Sequence, residues 1–308
     1  MSDNRLRRSE LSTPGHSPKM IAKAAASEAD LVFLDLEDSV VASQKVAARR
    51  NIIEGLNNLD WGVKARACRI NPVSTPWSHG DLIDIVSEAG QNLDVVIVPK
   101  VFSPRDVWFV DDLLTQLETG LGLEVGRIKL EVLIEETQAL SCVEDIASCS
   151  PRLEALILGV GDLSASQGIR LGHIGAAAEG AYGYPGDVWH YARNRMIGAA
   201  RANGLDAIDG PYGAISNPDG YEREASWAAT LGSVGKWAIH PSQIAIANKV
   251  FAPTDSEIKR ATAAVQAVQE AEKAGLGAAA FDGMMIDAAT ARIFDGVLER
   301  ARKCGVVV

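Results

Sequence analysis

An α/β protein, closed as a (β/α)8 TIM barrel and followed by a C-terminal helical extension, is the architecture this sequence points to. Three observations lead there. Eight short apolar runs recur along the chain, amphipathic stretches separate most of them, and a charged or polar residue stands just past almost every run. Short, largely apolar runs suit strands buried on both faces, and their alternation with helices points to a parallel sheet. The runner-up is an open doubly wound sheet, but no GxGxxG follows the first run.

The runs are, in order, Leu11–Thr13, Leu31–Leu36, Ala65–Ile70, Val95–Val98, Leu130–Ile134, Ala155–Leu158, Leu205–Ile208 and Gly235–Ile239. The first is short, and Pro14 follows it at once. Between them, Lys45–Leu56, Pro104–Glu118 and Trp189–Asn203 read as helices. Residues 169–185 are rich in Gly and Ala and have no period, so they read as a long loop near the mouth of the barrel. Pro253 breaks structure, and Thr254 or Asp255 can cap a helix. Residues 1–250 therefore read as a barrel domain and 251–308 as the extension. Its helices, Ser256–Ala274 and Ala288–Cys304, are joined by a loop over residues 275–287.

A chain of 308 residues, 47% hydrophobic, can bury one large core. Its formal net charge of −10 argues against a broad grip on nucleic acid. No stretch approaches the roughly 18 apolar residues of a membrane span, and the opening MSDNRLRRSEL lacks the apolar core of a signal peptide. The four cysteines form no CxxC pair and read as reduced, small buried hydrophobes. The expectation is a cytoplasmic protein with no membrane and no nucleic-acid partner.

Active sites of such barrels lie at the carboxyl ends of the strands. Past the runs stand Asp35, Glu37 and Asp38, then Arg69 and Asn71, Pro99 and Lys100, Glu135, Asp162, Asp209 and His240. Together they predict one charged pocket. Glu135 and Asp162 come from neighbouring strands and suit a hard, oxygen-seeking cation such as magnesium; two helix caps or ion-pair partners is the alternative. Arg69 either faces the pocket or forms a structural ion pair with Glu37 or Asp38. Asp35, Glu37 and Asp38 repel one another unless cations or hydrogen bonds intervene. They can hold water around a metal or orient Arg69. His240, before a proline, reads equally well as a satisfied structural group.

Several segments carry a family resemblance. They are RSELSTPG (Arg8 to Gly15), LDLEDSV (Leu34 to Val40), CRIN around Arg69, EVLIEE around Glu135 and GVGDLSASQG around Asp162. DGPYG (Asp209 to Gly213), GSVGKWAIHPSQ (Gly232 to Gln243) and DGMMID, ending at Asp287, complete the set. In order and at these spacings they resemble the citrate lyase beta-subunit-like (HpcH/HpaI aldolase/citrate lyase) family over nearly the whole chain, most closely its malyl-CoA lyase branch. The resemblance implies a lyase that exchanges L-malyl-CoA with acetyl-CoA and glyoxylate. It implies Mg2+ on Glu135 and Asp162, with Mn2+ able to stand in, and Arg69 at the reacting oxygens. It implies that Asp287 is the acid/base, supplied by a neighbouring chain of a trimer or hexamer; the residue's own setting also suits a helix cap. Glu37 and Asp38 join the catalytic set. Arg8, Lys19, Lys23, Arg69 and Lys100 are the candidates for contact with the CoA thioester. Ser12-Thr13 depart from the more apolar pair usual before the Pro-Gly, which leaves the substrate open among malyl-CoA, β-methylmalyl-CoA and citramalyl-CoA. A thioesterase, an aldolase on free 2-oxo acids and a non-catalytic subunit are the competing readings.

Overall fold

The computed structural model describes residues 5–170 and 186–308. Arg7–Lys249 forms one compact unit and Val250–Val308 belongs to another. In the first, eight parallel strands close in sequence order. They are β1 (Ser9–Pro14), β2 (Leu31–Asp35), β3 (Ala65–Arg69), β4 (Val95–Val98), β5 (Lys129–Ile134), β6 (Leu153–Leu158), β7 (Asp206–Asp209) and β8 (Gly235–Ala238). Closure comes from β1, which pairs β2 on one side and sets Glu10 against Trp237 of β8 on the other. The predicted (β/α)8 barrel is therefore the observed one.

Successive residues of each strand point to opposite faces, and both faces are buried. Phe33, Ala67, Ile97, Leu133, Ile157 and Trp237 fill the barrel interior. Their neighbours Val32, Leu34, Cys68, Val96 and Val132 pack outward against the helices. A strand buried on both faces shows no polar alternation, which is why continuous apolar runs marked the strands. The helices include α1 (Pro18–Ala25), α2 (Lys45–Asn58), α3 (Ser78–Ala89), α4 (Pro104–Leu121), α5 (Thr137–Ser141), α6 (Val143–Ala147) and α7 (Val160–Gln167), with α8 (His190–Ala202), α9 (Pro218–Leu231) and α10 (Ile244–Val250) later in the chain. α4 begins at a capping box in which Ser103 and Asp106 each take the other's backbone N–H, with Pro104 in the first turn.

Several sequence-based boundaries moved. β1 runs from Ser9 to Pro14, because Pro14 needs no donor at the last residue of a strand. β5 and β6 begin at the polar Lys129 and at Leu153-Glu154, ahead of their apolar runs. Glu131 and Glu154 are tolerated there because Arg7 pairs with both, its Nε lying 2.8 Å from Glu131 Oε1. The loop read over residues 169–185 falls mostly at positions 171–185, outside the described residues.

The Val250–Val308 unit packs α11 (Asp255–Lys273) with α12 (Ala288–Lys303). The segment between them is not a loop throughout. Ala278–Phe281 and Met284–Asp287 pair antiparallel as β9 and β10. Asp282 and Gly283, with φ of 47° and 73°, make the two-residue turn that joins them. Asp-Gly between short apolar strands is the signal that marks such a hairpin.

Outside the barrel, a second set of charges is fully enclosed. Lys236 donates to Asp209 at 2.5 Å and to Glu224 at 2.5 Å, and Arg193 donates to Asp209 at 2.9 Å. The pairing holds Asp209 below its usual range: burial pushes it up, but Arg193 and Lys236 outweigh that. Replacing Lys236 with Met leaves two enclosed carboxylates with too few cations. The expected cost is about 3–5 kcal/mol, read as a fall in the urea midpoint at unchanged slope.

Candidate active site at the carboxyl ends of the strands

The period of two that puts Phe33, Ala67 and Leu133 inside the barrel carries Asp35, Arg69 and Glu135 to the same face at the strand ends. The β2–β3 register sets Asp35 directly opposite Arg69. The guanidinium is bidentate, with Nε 2.7 Å and Nη2 2.8 Å from the two Asp35 oxygens. Asp35 also accepts the backbone N–H groups of Glu37 at 2.9 Å and Ser39 at 3.1 Å. Burial would raise its pKa, but Arg69 and these hydrogen bonds hold it down at about 2. Arg69 is itself flanked by the rings of Phe33 and Trp237, at 5.9 Å and 5.4 Å. Its Nη1 stands 3.0 Å from Glu37 Oε2. That oxygen has no partner of hydrogen-bond geometry, so the contact is ionic. Arg69 is thus both of the things the sequence offered: a structural partner and a charge at the mouth.

Glu135 is almost fully enclosed. Burial, opposed by Arg69 and by the Lys100 amide, pushes its carboxyl up to about 8. The Lys100 N–H donates to Oε1 at 2.7 Å. The other oxygen fits because residue 159 is Gly: a Cβ there would lie 2.5 Å from Oε2. Asp162 rises from the first turn of α7 with its side chain partly exposed. Between the carboxylates lies the Lys100 ammonium. It pairs with Glu37, lies 3.3 Å from Asp38 Oδ1 and lies 3.4 Å from Asp162 Oδ2. Burial works against its charge, but Glu37, Glu135 and Asp38 outweigh that and raise its pKa.

The mouth therefore gathers Asp35, Glu37, Asp38, Arg69, Lys100, Glu135 and Asp162. The remaining residues from the sequence reading have other settings. Arg8 stands at the amino end of β1, bound through Nε and Nη2 to both oxygens of Asp30 at 2.8 Å. That is the far end of the barrel from the mouth, so it is not brought to the site. Lys19 and Lys23 are exposed on α1. Asp209 points outward, to Arg193 and Lys236, because it shares the parity of the outward-facing Ala207. Asn71 is occupied by Asp81, at 2.7 Å from its Nδ2. His240 is exposed and caps the short turn after β8 through Ser242 N–H. Asp287 belongs to the Val250–Val308 unit, where it caps α12 by accepting from Ala289 and Thr290 N–H at 3.0 Å each. Those hydrogen bonds lower its pKa.

Sequence reasoning missed the double attachment of Lys100 and the role of Gly159. Pro99-Lys100 at a strand end hinted at the first. The second had a signal in the glycine three residues before Asp162. Chemically, Glu135 and Asp162 present hard oxygens, and the space beside Glu135 is kept open by Gly159. Among the described residues, no group of three or more His, Cys, Asp and Glu is arranged to hold a metal. A cation here would rest on one or two carboxylates and take its other ligands from water and substrate, a set that fits magnesium.

Comparison with known proteins gives a consistent picture. The model of the HpcH/HpaI aldolase/citrate lyase family matches residues 8–241. An L-malyl-CoA/beta-methylmalyl-CoA lyase of Rhodobacter capsulatus is 40% identical over 98% of this chain and 96% of its own. A malyl-CoA/beta-methylmalyl-CoA/citramalyl-CoA lyase of Chloroflexus aurantiacus is 34% identical over 94% of this chain and 86% of its own. Among solved structures, protein CitE of Mycobacterium tuberculosis, in complex with magnesium, acetoacetate and coenzyme A, superposes with a TM-score of 0.75. It is 28% identical and covers 97% of this chain and 99% of its own.

A raised carboxyl pKa has a definite sign in stability. The folded chain binds the Glu135 proton more tightly than the unfolded chain does, so its contribution is complete below about pH 4.5 and is lost as pH rises through about 8. In chelator, the melting temperature should fall across that window. Glu135→Gln should flatten this part of the profile; an unchanged slope would remove Glu135 as its source.

Proposed function

The chain belongs to the HpcH/HpaI aldolase/citrate lyase family, and on that premise we propose that it is a magnesium-dependent carbon–carbon lyase of CoA thioesters. Its reaction is the reversible cleavage of L-malyl-CoA to acetyl-CoA and glyoxylate, with β-methylmalyl-CoA, yielding propionyl-CoA, as a second substrate. The observation that carries this reading is the full-length 40% identity to a lyase of that name. The charged mouth agrees with it.

Glu135 and Asp162 would hold the magnesium ion, which supplies Lewis-acid polarisation of the 2-oxo acid and fixes its orientation. Mn2+ serves as a substitute of the same hardness. Arg69, locked by Asp35 and backed by two aromatic rings, is a fixed positive charge where the thioester oxygen becomes an enolate. A group that needs no reorganisation is worth most in such a site. Glu37 and Asp38 balance Arg69 and Lys100.

Asp287 is the acid/base. It takes the proton from the acetyl methyl group in the condensation direction and returns it to the enolate in cleavage. As the cap of α12 it is fully ionised near neutrality and a weak base. Removal from water beside a thioester raises a carboxylate's pKa and makes it a stronger one. We place it against the barrel mouth of a neighbouring copy, in a cytoplasmic trimer or hexamer. Lys19 and Lys23, on the helix that follows the carboxyl end of β1, are the proposed partners of the CoA phosphates.

The Chloroflexus relative, whose name includes citramalyl-CoA, favours a second reading in which pyruvate replaces glyoxylate. The two substrates differ by a methyl group, worth only about 1–3 kcal/mol of discrimination.

Purified protein with L-malyl-CoA and Mg2+ should release glyoxylate, and EDTA should abolish it. Free thiol without glyoxylate would instead identify a thioesterase. Failure with L-malyl-CoA but turnover of citramalyl-CoA would shift the substrate. Asp287→Asn is expected to lose turnover while still binding the metal; near-normal turnover in that variant sinks the acid/base assignment.

A further inference from the structure

Lys100 is one of two non-glycine residues with positive φ among the described residues, at 46°. The other, Asp282, is explained by its hairpin turn. A lysine has no intrinsic taste for the left-handed region, so something in the surroundings holds it there. The consequence of the conformation is visible at both ends of the residue. The main-chain N–H reaches Glu135 Oε1 at 2.7 Å. The ammonium reaches Glu37, Asp38 and Asp162. One residue thereby touches four carboxylates contributed from the ends of three different strands.

We propose that Lys100 is the built-in counter-cation of the proposed metal site, a positioning residue whose ammonium neutralises the carboxylates before a divalent cation arrives and yields Asp162 to it afterwards. The inference rests on the metal reading of Glu135 and Asp162 given above. Its physical basis is competition. Four carboxylates this close cannot remain ionised together without positive charge nearby. Arg69 serves Asp35 and Glu37, which leaves Lys100, among the described residues, as the cation in contact with Asp38 and Asp162. A divalent ion on Asp162 competes for the same carboxylate that the ammonium approaches at 3.4 Å. Like charges at that range repel, so the ammonium close to the carboxylate weakens the ion's hold on it. The amide hydrogen bond to Glu135 is independent of this exchange, because it comes from the backbone.

The test is a Mn2+ titration, followed by electron paramagnetic resonance of the free ion, on the whole protein. Wild type, Lys100→Met and Lys100→Asn are compared, with Glu135→Gln as the control that should not bind. Met keeps the unbranched stem as far as the ε position and the same backbone demand, and it removes the charged group. Asn tolerates the left-handed conformation and covers the case in which Met fails to fold. The expected result is Mn2+ binding about tenfold tighter in both neutral variants, as removal of a nearby repelling charge requires. Their melting temperatures should fall below wild type in chelator and return to it with saturating Mn2+. Equal or weaker binding in the folded variants overturns the role of Lys100 while leaving the metal site standing. No binding by wild type removes the metal reading and this inference with it.

Discussion

Crowding of like charge at the barrel mouth governs the site. Asp35, Glu37, Asp38, Glu135 and Asp162 stand at or just past the ends of β2, β5 and β6, and among the described residues two cations meet them there, Arg69 and Lys100. The division of labour is uneven. Asp35 takes the bidentate face of Arg69 and stays ionised. Glu135 receives, among the described residues, a backbone N–H as its hydrogen bond, and burial pushes its carboxyl up to about 8. A carboxylate left in that condition, beside an opening kept clear by Gly159, is the group for which an added cation gains most.

The barrel explains how this crowding is maintained. Register places Asp35 against Arg69, and the strand period aims both, with Glu135, at the same space. The groups stand on strand ends or within the first turns after them, and Arg69 is held against the rings of Phe33 and Trp237. Preorganised charge of this kind stabilises developing negative charge without first having to rearrange.

Strand parity and position along the strand keep the other buried charges out of the chemistry. Asp209 faces the helices, where Lys236 and Arg193 neutralise it. Arg7 collects Glu131, Glu154 and Asp206 at the amino ends of the strands. There Glu10 accepts from Trp237 at 2.9 Å, its own pKa raised by burial and by Glu131. These networks seal the lower end and outer layer of the barrel; they are matters of stability, whereas the mouth is left open to ligand.

Much of this was legible in the residues alone. Runs such as LVFL and VVIV are apolar throughout because both strand faces are buried, so strand number and order could be read from composition along the chain. The polar residues at the run ends identified the mouth, since side chains there need neither face of the core. Tertiary structure had to decide the rest, because direction is a property of register and not of adjacency. Asp209 and Asp35 look alike in sequence, each an aspartate ending an apolar run, yet one turns out to helices and the other in to Arg69. Arg8 and Lys100 look alike as basic residues beside strands, yet they lie at opposite ends of the barrel. The left-handed turn at Lys100, which ties four carboxylates to one side chain and its amide, follows from contacts between segments 35–63 residues apart, and local sequence carries no record of them.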